Sequence, residues 1–361
     1  MTKILSDAAA GSVDQQHTRS GFRRRARSAL KSPNVSLVMA LIALIVILTS
    51  LRPGEFLTWD NLVNIAIASV LVGLCALAQT LVILTGGIDI SIGSIVGLSS
   101  VVCALVAAQS PYAGTGILSI VVSIGVGAAC GVFNATVITI GRVSPLIATL
   151  GTFTAFQGFN YIVTDGRSTA VLNRTLNNIT SIQVVGIPLP VVILVVAIIV
   201  FAVFMKYTDF GRNIYAVGGN PTAARLAGIN VRSYLFGIYS LVGVIGGLAG
   251  AILTAKQGAG IPASGAPDLA LLSITAVALG GTALTGGVGT ISGTVLGVAI
   301  LAVLENGLLL LDVNALYQPV PRGFLLIIAV LVQQWRGQID FRTLFKANRF
   351  VPRTTETEST S

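Results

Sequence analysis

Residues 78–100 read AQTLVILTGGIDISIGSIVGLSS and hold one charged side chain, Asp89, in 23 positions. The paired glycines Gly86 and Gly87 interrupt this apolar run just before the carboxylate. A helix needs roughly 20 apolar residues to cross about 30 Å of hydrocarbon. The stretch is therefore typical of a membrane helix that is broken at a glycine-rich turn.

The rest of the chain has the same character. Hydrophobic residues make up 54% of the 361 positions and charged residues only 10%, whereas globular proteins carry about 25% charged residues. So few charges could not solvate the surface of two or three soluble domains of this total length. We therefore predict an all-α integral membrane protein.

Long uncharged runs predict about ten transmembrane helices. The runs are 35–51, 61–88, 90–141, 143–164, 175–205, 233–255 and 269–311 (passing over Glu305), and a final apolar segment runs from about Pro319 to Trp335. The third run is long enough for two crossings that turn at 110–114. The seventh run is expected to form two short helices split at the glycine cluster 286–289.

Lysine and arginine positions predict the orientation. If the N-terminus lies in the cytoplasm and ten crossings alternate, 17 of the 22 basic residues fall inside and five fall outside. Cytoplasmic segments of membrane proteins carry this excess. We expect a basic cytoplasmic tail at 1–34, a transmembrane domain at 35–336 with an interior loop at 206–232, and a polar cytoplasmic tail at 337–361.

The formal net charge of +9 belongs to these tails and loops. It therefore predicts contacts with membrane lipids and no nucleic-acid binding. The first apolar run, after the N-terminal arginines, could instead be a secretory signal, but no small-residue cleavage site follows Leu51. A retained first helix is the expected reading.

Residue counts exclude several kinds of site. His17, the one histidine, lies in the N-terminal tail, so neither a histidine metal site nor a Ser-His-Asp triad can be assembled. Cys75, Cys103 and Cys130 show no CxxC spacing and are expected to be buried, inert thiols. No GxxxxGKS/T sequence occurs. We expect no metal, no cofactor and no enzyme activity in this chain.

Two carboxylates fall inside or beside apolar runs. Asp89 could cap free backbone N–H groups at the mouth of a broken helix, or it could line a transport path. Glu305 could reach a neighbouring helix or line the same path. Neutral amides on these helices could form interhelical hydrogen bonds or contact a sugar or polyol. They are Gln79, Asn134, Gln157, Asn160 and Asn306.

Glycine spacing predicts a tightly packed bundle. Small-xxx-small pairs place two small residues on one helix face and allow close backbone approach in lipid. The pairs are Gly93/Gly97, Gly127/Gly131, Gly243/Gly247, Gly246/Gly250 and Gly293/Gly297. Stretches 84–93 and 279–287 both interrupt an apolar run with paired glycines, which in transporters points to a central substrate path.

The interior loop 206–232 contains a short helix. Residues 218–220 (GGN) are expected to form a turn, Asn220 to cap the helix and Pro221 to precede its residues 222–226. Gly228 then ends it. The helix could receive force from a soluble partner, or it could simply lie on the membrane surface.

Four stretches resemble the permeases of bacterial ribose- and xylose-type ABC importers. They are GRNIYAVGGNPTAARLAGINV at 211–231, the opening stretch at 78–100, SPLIATLGTF at 144–153 and ALGGTALTGGVGTISGTVLG at 278–297. The resemblance covers about 56–335, and these motifs agree in order and spacing.

This resemblance implies a type II ABC importer-like permease for a monosaccharide, in the bacterial inner membrane, that works by alternating access as a homodimer. A separate ATP-binding subunit would hold ATP and Mg, and a periplasmic sugar-binding protein would deliver the cargo. Docking to the ATP-binding subunit would fall on Gly211, Arg212, Gly218, Gly219, Asn220, Ala223, Ala224, Arg225, Gly228 and Ile229. The intramembrane turn would comprise Gly86, Gly87, Asp89, Ser91 and Gly93.

Two departures leave the cargo open. Relatives often have E-L-D where this chain has Ala270-Leu271-Leu272, and an asparagine where it has Glu305. A polyol or an unusual sugar is one possibility, and a nucleoside or autoinducer-like cargo within the same family is another. From a different class, an ion-coupled secondary transporter would have to use Asp89 and Glu305 as its titratable pair.

Overall fold

The computed structural model describes residues 33–331 except positions 172, 266, 315, 325, 326, 329 and 330. The predicted tail at 337–361 and all but two residues of the tail at 1–34 lie outside the described residues. In chain order the helices are α1 (Pro33–Leu51), α2 (Trp59–Leu84), α3 (Ile92–Ala107), α4 (Ala113–Thr139), α5 (Pro145–Thr164), α6 (Arg174–Asn177), α7 (Leu189–Tyr207), α8 (Asp209–Gly219), α9 (Pro221–Leu226), α10 (Val231–Gln257), α11 (Asp268–Leu279) and α12 (Ile291–Leu310).

Seven of the described helices are long and apolar enough to cross a membrane. They are α1, α2, α4, α5, α7, α10 and α12, and the apolar helices α3 and α11 are shorter. A further helical turn begins at Pro319, but much of the tenth predicted segment lies outside the described residues. The all-α membrane fold with about ten helices therefore agrees with the sequence prediction.

Both predicted interruptions are present. Helix α3 ends at Ala107 and α4 begins at Ala113, so the turn expected at 110–114 is confirmed within a few residues. Helix α11 ends at Leu279 and α12 begins at Ile291, so the break predicted at 286–289 is confirmed and is wider than expected.

The crossing predicted at 175–205 is wrong in its first half, because the long helix begins only at Leu189. Residues before it form α6, a short 3-10 turn and an antiparallel hairpin of β2 (Gln183–Val184) with β3 (Ile187–Pro188). Val185 and Gly186 both have positive φ, 54° and 78°, which closes this two-residue turn. Pro190 in the first turn then suits the start of α7.

A second short ladder pairs β1 (Thr169–Ala170) with β4 (Ala259–Gly260), antiparallel. It joins the segment after α5 to the segment after α10. The C-terminal ends of α5 and α10 therefore lie on the same side of the bundle, and α8 and α9 lie on the opposite side.

Helix α10 forms the centre of the packing, and glycines make its contacts close. A Cβ atom on Gly127 of α4 would lie 2.3 Å from the carbonyl oxygen of Gly243 on α10. On the other face of α10, a Cβ on Gly250 would lie 2.7 Å from the Cβ of Ser99 on α3. The tight packing predicted from glycine spacing is confirmed, since dispersion and close backbone approach are the main attractions between helices in lipid.

Hydroxyl groups hydrogen-bond across the same interfaces. Ser100 Oγ lies 2.8 Å from Thr254 Oγ1 between α3 and α10, and Thr80 Oγ1 lies 2.8 Å from Thr294 Oγ1 between α2 and α12. Cys75, Cys103 and Cys130 are buried free thiols in this interior, as expected. The core is thus apolar with a few hydrogen bonds between helices, as expected for a bundle in hydrocarbon.

Candidate functional site

Helices α8 and α9 form a helical hairpin at 208–230 that is capped at both starts. Thr208 Oγ1 accepts a hydrogen bond from Gly211 N at 3.2 Å. Asn220 Oδ1 accepts from Thr222 N and Ala223 N, each at 3.0 Å. The predicted N-cap at Asn220 is confirmed, and Pro221 follows it in the first helical position.

The end of α9 is equally well defined. Gly228 has φ +85° and donates its N–H to Arg225 O at 3.0 Å. Ile229 donates its N–H to Ala224 O at 3.0 Å. This pair of bonds is a Schellman motif, with Gly228 one position beyond the cap residue Ala227. The predicted stop at Gly228 is confirmed, and α9 is a short helix of about one and a half turns that is fixed at both ends.

The turn predicted at 218–220 is wrong, because Gly218 and Gly219 are the last two residues of α8. Their low helix propensity concealed this helix in the sequence. A signal was present: Gly211, Ile214 and Val217 are buried at a spacing of three along α8. Burial of this face against the bundle outweighs the cost of two glycines at the helix end.

The ten docking candidates divide into two groups. Gly211, Gly218 and Ala224 face the bundle, and Ile229 is partly buried beside Ala224. The other six lie on the exposed surface of the hairpin: Arg212, Gly219, Asn220, Ala223, Arg225 and Gly228. Arg212 forms an ion pair with Asp209 one turn earlier in α8.

Leu226 is a feature that sequence reasoning missed. Its side chain is 86% exposed at the end of α9, directly after Arg225. The sequence shows that Leu226 is the only large apolar residue of α9, since the others are alanines. It could have been identified as exposed only if the direction of each helix face had been known. Arginine, the residue type beside this leucine, is enriched at protein interfaces.

The loop between α2 and α3 carries a buried polar chain. Asp89 is fully buried, and its Oδ1 accepts from Ser91 N at 2.8 Å and from Ser91 Oγ at 2.6 Å. Asn134 Nδ2 of α4 donates to Ser91 Oγ at 2.7 Å. The cap interpretation of Asp89 therefore fits its geometry, although Asp89 Oδ2 has no hydrogen-bond partner among the described residues.

Helix α5 and helix α10 close the same loop from two sides. Thr149 Oγ1 donates to Ile88 O at 3.2 Å and lies 3.3 Å from Ile90 N, which donates to it. A Cβ on Gly87 would lie 2.6 Å from Tyr239 Oη of α10. Gly86 has φ +78°, a backbone conformation that favours glycine.

A second polar group lies on α5, towards the connection between α10 and α11. Gln157 Nε2 donates to Pro262 O at 3.1 Å. Asn160 is fully buried, and its Nδ2 would lie 2.9 Å from a Cβ on Gly97. Gly93 of α3 also lies against the connection between α10 and α11, since a Cβ on Gly265 would lie 2.8 Å from the carbonyl oxygen of Gly93. Within the described part of the chain, neither amide atom of Asn160 has a hydrogen-bond partner.

Three further candidates lie elsewhere. Asn306 and Asn61 exchange two hydrogen bonds, at 3.0 and 2.7 Å, that join α12 to α2. Glu305 Oε1 lies 2.9 Å from Arg322 Nε, and the two side chains are only 22% and 24% exposed. Gln79 is fully buried in α2 and is unbonded among the described residues. The candidates are therefore spread over the bundle and do not form one cluster.

A cavity of about 150 Å³ opens beside Arg322, between α11 and the turn at Pro319. Its wall includes Leu272, one of the two positions at which this chain departs from the E-L-D pattern described above. The lining residues are Asp268, Leu271, Leu272, Thr275, Pro319, Arg322 and Gly323.

Comparison with known proteins gives a family match over most of the chain. The family described as branched-chain amino acid transport system / permease component matches residues 61–330. The ribose import permease protein RbsC of Bacillus subtilis is 41% identical over 298 residues, which are 82% of this chain and 91% of that protein.

Two proteins of Escherichia coli strain K12 are also similar. Its ribose import permease protein RbsC is 37% identical over 299 residues, covering 82% of this chain and 92% of that protein. Its D-allose transport system permease protein AlsC is 34% identical over 296 residues, covering 81% and 89%. No solved structure matches the chain significantly.

Proposed function

The chain belongs to the branched-chain amino acid transport system / permease component family, and on this premise we propose that it is the membrane subunit of an ATP-driven monosaccharide importer. A monosaccharide or a related polyol would cross the inner membrane through it by alternating access. The members of this family are permease components and not enzymes, so the subunit would move its cargo without covalent chemistry.

The similarity to three sugar permeases over four-fifths of the chain carries this proposal. Two of them are named for ribose and one for D-allose. The family description mentions branched-chain amino acids, but the three relatives described above, aligned over 89–92% of their own length, are named for sugars. The neutral amides Gln79, Gln157 and Asn160 also support a polyhydroxylated cargo, because amides both donate to and accept from hydroxyl groups.

The partners follow from this class of transporter. A separate ATP-binding subunit would hold ATP and Mg, a periplasmic binding protein would deliver the sugar, and a second copy of the chain would complete a homodimer. Both termini would lie in the cytoplasm, on the side of α8 and α9. Lipids would cover the many exposed apolar side chains of α1, α5 and α7.

We assign docking of the ATP-binding subunit to the exposed surface of α9, with Arg225 and Leu226 as its main contacts. Capping at both ends supports this role, because a helix fixed by Asn220 and by Gly228 moves as one body. An exposed leucine beside an arginine can enter a pocket on the partner while the guanidinium binds a carboxylate. Arg212 would contribute less, since Asp209 already pairs with it.

Substrate delivery would drive the change of state. A loaded binding protein favours one conformation only by its higher affinity for it, and ATP-driven closure of the partner subunits favours the other. The loop containing Asp89 and Ser91, to which Asn134 of α4 is hydrogen-bonded, is the candidate moving part inside the bundle, because it lies within a broken helix. Both candidate carboxylates have structural partners, Ser91 for the buried Asp89 and Arg322 for the partly buried Glu305, which argues against an ion-coupled transporter.

Uptake into proteoliposomes tests the function. The chain is reconstituted with its ATP-binding subunit and binding protein, and uptake of labelled ribose, allose and leucine is measured. We expect uptake of a sugar that requires ATP and survives a protonophore. Uptake that needs no ATP and stops when the proton gradient collapses would refute the proposal, and uptake of leucine alone would refute the cargo.

Substitution by glutamate tests the docking surface. Arg225→Glu and Leu226→Glu should each abolish co-purification of the ATP-binding subunit while the chain still inserts in the membrane. Arg232→Glu is the matched control, because Arg232 is also basic and exposed but lies in the first turn of α10. If Arg225→Glu and Leu226→Glu retain the subunit as well as Arg232→Glu does, docking lies elsewhere.

A further inference from the structure

Three segments that are far apart in sequence meet at backbone distance beside the hairpin. They are the end of α2 with the start of its loop (84–86), the loop between α11 and α12 (285–287) and the end of α8 (218–219). Gly287 donates its N–H to Leu84 O at 2.9 Å, which ties the first two segments together. We call this contact of 84–86, 218–219 and 285–287 the glycine junction.

At three glycines of the glycine junction, Gly218, Gly286 and Gly287, there is no room for a side chain. A Cβ on Gly218 would lie 1.7 Å from Leu84 O and 2.6 Å from Gly287 N. A Cβ on Gly286 would lie 2.9 Å from Gly86 N, and one on Gly287 would lie 2.8 Å from Gly219 Cα. Such distances are too short for real Cβ contacts, so the three backbones touch one another directly.

A side-chain bond joins the hairpin to the same place. Tyr215 of α8 donates its hydroxyl to Gly289 O at 3.0 Å. A tyrosine is protonated at neutral pH and so remains a donor, and burial raises the pKa of Tyr215 still further above its ordinary value. Helix α8 is therefore held to the α11–α12 loop at two points, Gly218 and Tyr215.

The glycine junction continues into the bundle through the α2–α3 loop. Gly86 is three residues from Asp89, and Asp89 is bonded to Ser91, which accepts from Asn134 of α4. The same loop is bonded to Thr149 of α5. A displacement of Leu84–Gly86 would thus reach the starts of α3 and α5 and the C-terminal half of α4, where Asn134 lies.

The other contacts of the hairpin are of a different kind. Gly211 packs against the backbone of Met205 in α7, and Ala224 packs with Val231 of α10. These are contacts with the helices that directly precede and follow the hairpin in the chain. The glycine junction instead connects the hairpin to both broken segments, which are more than sixty residues away in sequence.

From these contacts we propose that the glycine junction, with Tyr215 as its side-chain tie, transmits movement of the docked hairpin to both broken segments at once. This inference rests on the proposed function and extends it to residues of the transmission step. Backbones in contact have no side-chain torsion that could absorb a displacement, and close-packed interiors pass strain on. Gly218, Gly286, Gly287 and Tyr215 are therefore positioning residues that act on the α2–α3 and α11–α12 loops.

Gly218→Ala in the full transporter complex is the test, because alanine keeps the helix and adds only the Cβ that has no room. We measure retention of the ATP-binding subunit, ATP hydrolysis and ATP-driven sugar uptake. The expected result is an uncoupled complex, in which the subunit is retained and ATP is hydrolysed while uptake per ATP falls about tenfold, a typical coupling between distant sites. Gly125→Ala is the matched control, since Gly125 is also helical and has no atom within 4 Å of its Cβ position.

Tyr215→Phe covers the case in which Gly218→Ala does not assemble. It removes one hydroxyl and should lower uptake per ATP about fivefold, at the lower end of such couplings. Wild-type uptake per ATP in Tyr215→Phe, or in an assembled Gly218→Ala complex, would overturn the inference. Loss of uptake strictly in proportion to loss of the ATP-binding subunit would also overturn it, because the residues would then serve docking alone. If the unaltered complex shows no ATP-driven uptake, the proposed function itself fails.

Discussion

The two broken segments of the bundle both turn at paired glycines, but the helices after them begin with different chemistry. The first break, residues 85–91 between α2 and α3, and the second break, residues 280–290 between α11 and α12, each contain paired glycines. Positive φ occurs at Gly86 in the first break and at Gly281, Gly286 and Gly287 in the second. Both breaks reach the glycine junction, so a single contact touches both.

The helices that follow the breaks begin differently. Helix α3 follows the carboxyl group of Asp89, which is fully buried and bonded to Ser91. Helix α12 begins at a neutral cap, where Thr290 Oγ1 accepts from Gly293 N at 3.0 Å. The acidic side chain of the second segment lies farther along α12, where Glu305 is paired with Arg322.

This difference shows where the bundle is sensitive to movement. Glu305 has a guanidinium partner, whereas the described groups bonded to Asp89 are the N–H and hydroxyl of one loop residue. A shift of the first break would therefore change the bonding of a buried acid, and a shift of the second break would change a neutral cap. We expect the first break to be the more costly one to disturb.

Removal of the Asp89 carboxyl should have the largest effect. Asp89→Ala leaves the N–H and hydroxyl of Ser91 without their acceptor in a buried place, which should lower the free energy of unfolding by about 3 kcal/mol. Asp89→Asn keeps one oxygen acceptor and should cost about 1 kcal/mol. SDS-titration unfolding of the purified chain in mixed micelles measures both, and equal losses for the two variants would contradict the capping role.

Loss of the ion pair in the second segment should cost less. Arg322→Ala leaves the largely buried Glu305 without its partner and should destabilise by about 2 kcal/mol, less than a fully buried pair because some exposure remains. The double variant Arg322→Ala with Glu305→Gln should recover most of this loss in the same unfolding assay. If the double variant is as unstable as Arg322→Ala alone, packing and not charge explains the effect.

The neutral cap of the second break should be the least sensitive of the three. Thr290→Ala removes the acceptor for Gly293 N–H and should cost about 1 kcal/mol, as for other N-caps. Thr290→Ser keeps the hydroxyl and serves as the control that retains stability. An effect of Thr290→Ala larger than that of Asp89→Ala would reverse the ranking of the two breaks.

Sequence reasoning predicted the local features of the hairpin but not its full shape. The cap at Asn220 and the stop at Gly228 were predicted correctly, because both depend on bonds within one helical turn. Helix α8 was missed, since its two terminal glycines oppose a helix and only burial of Ile214 and Val217 against the bundle decides for it. The late start of α7 at Leu189 was missed for a different reason: residues 175–188 carry no charge, so the uncharged run extended through them although many of their side chains are polar.

The candidate path residues show the same limit. Asn306 bonds to Asn61 and Glu305 to Arg322, and both contacts join positions that no local pattern connects. Gln157 and Asn160 proved to lie against the segment after α10, away from Asp89. Polar residue types identified these positions as exceptional for a membrane helix, but their partners depend on how the helices pack.

By itself the sequence determined the membrane class, about ten crossings, the two glycine breaks and the capped helix α9, because hydropathy, glycine and capping act within a few residues. The tertiary structure alone decided that Leu84, Gly218 and Gly287 touch, that Tyr215 bonds to Gly289 and that Leu226 stays exposed. These contacts join residues up to about two hundred positions apart. They form because the helices pack closely only where glycines allow their backbones to meet, and that arrangement is a property of the whole bundle.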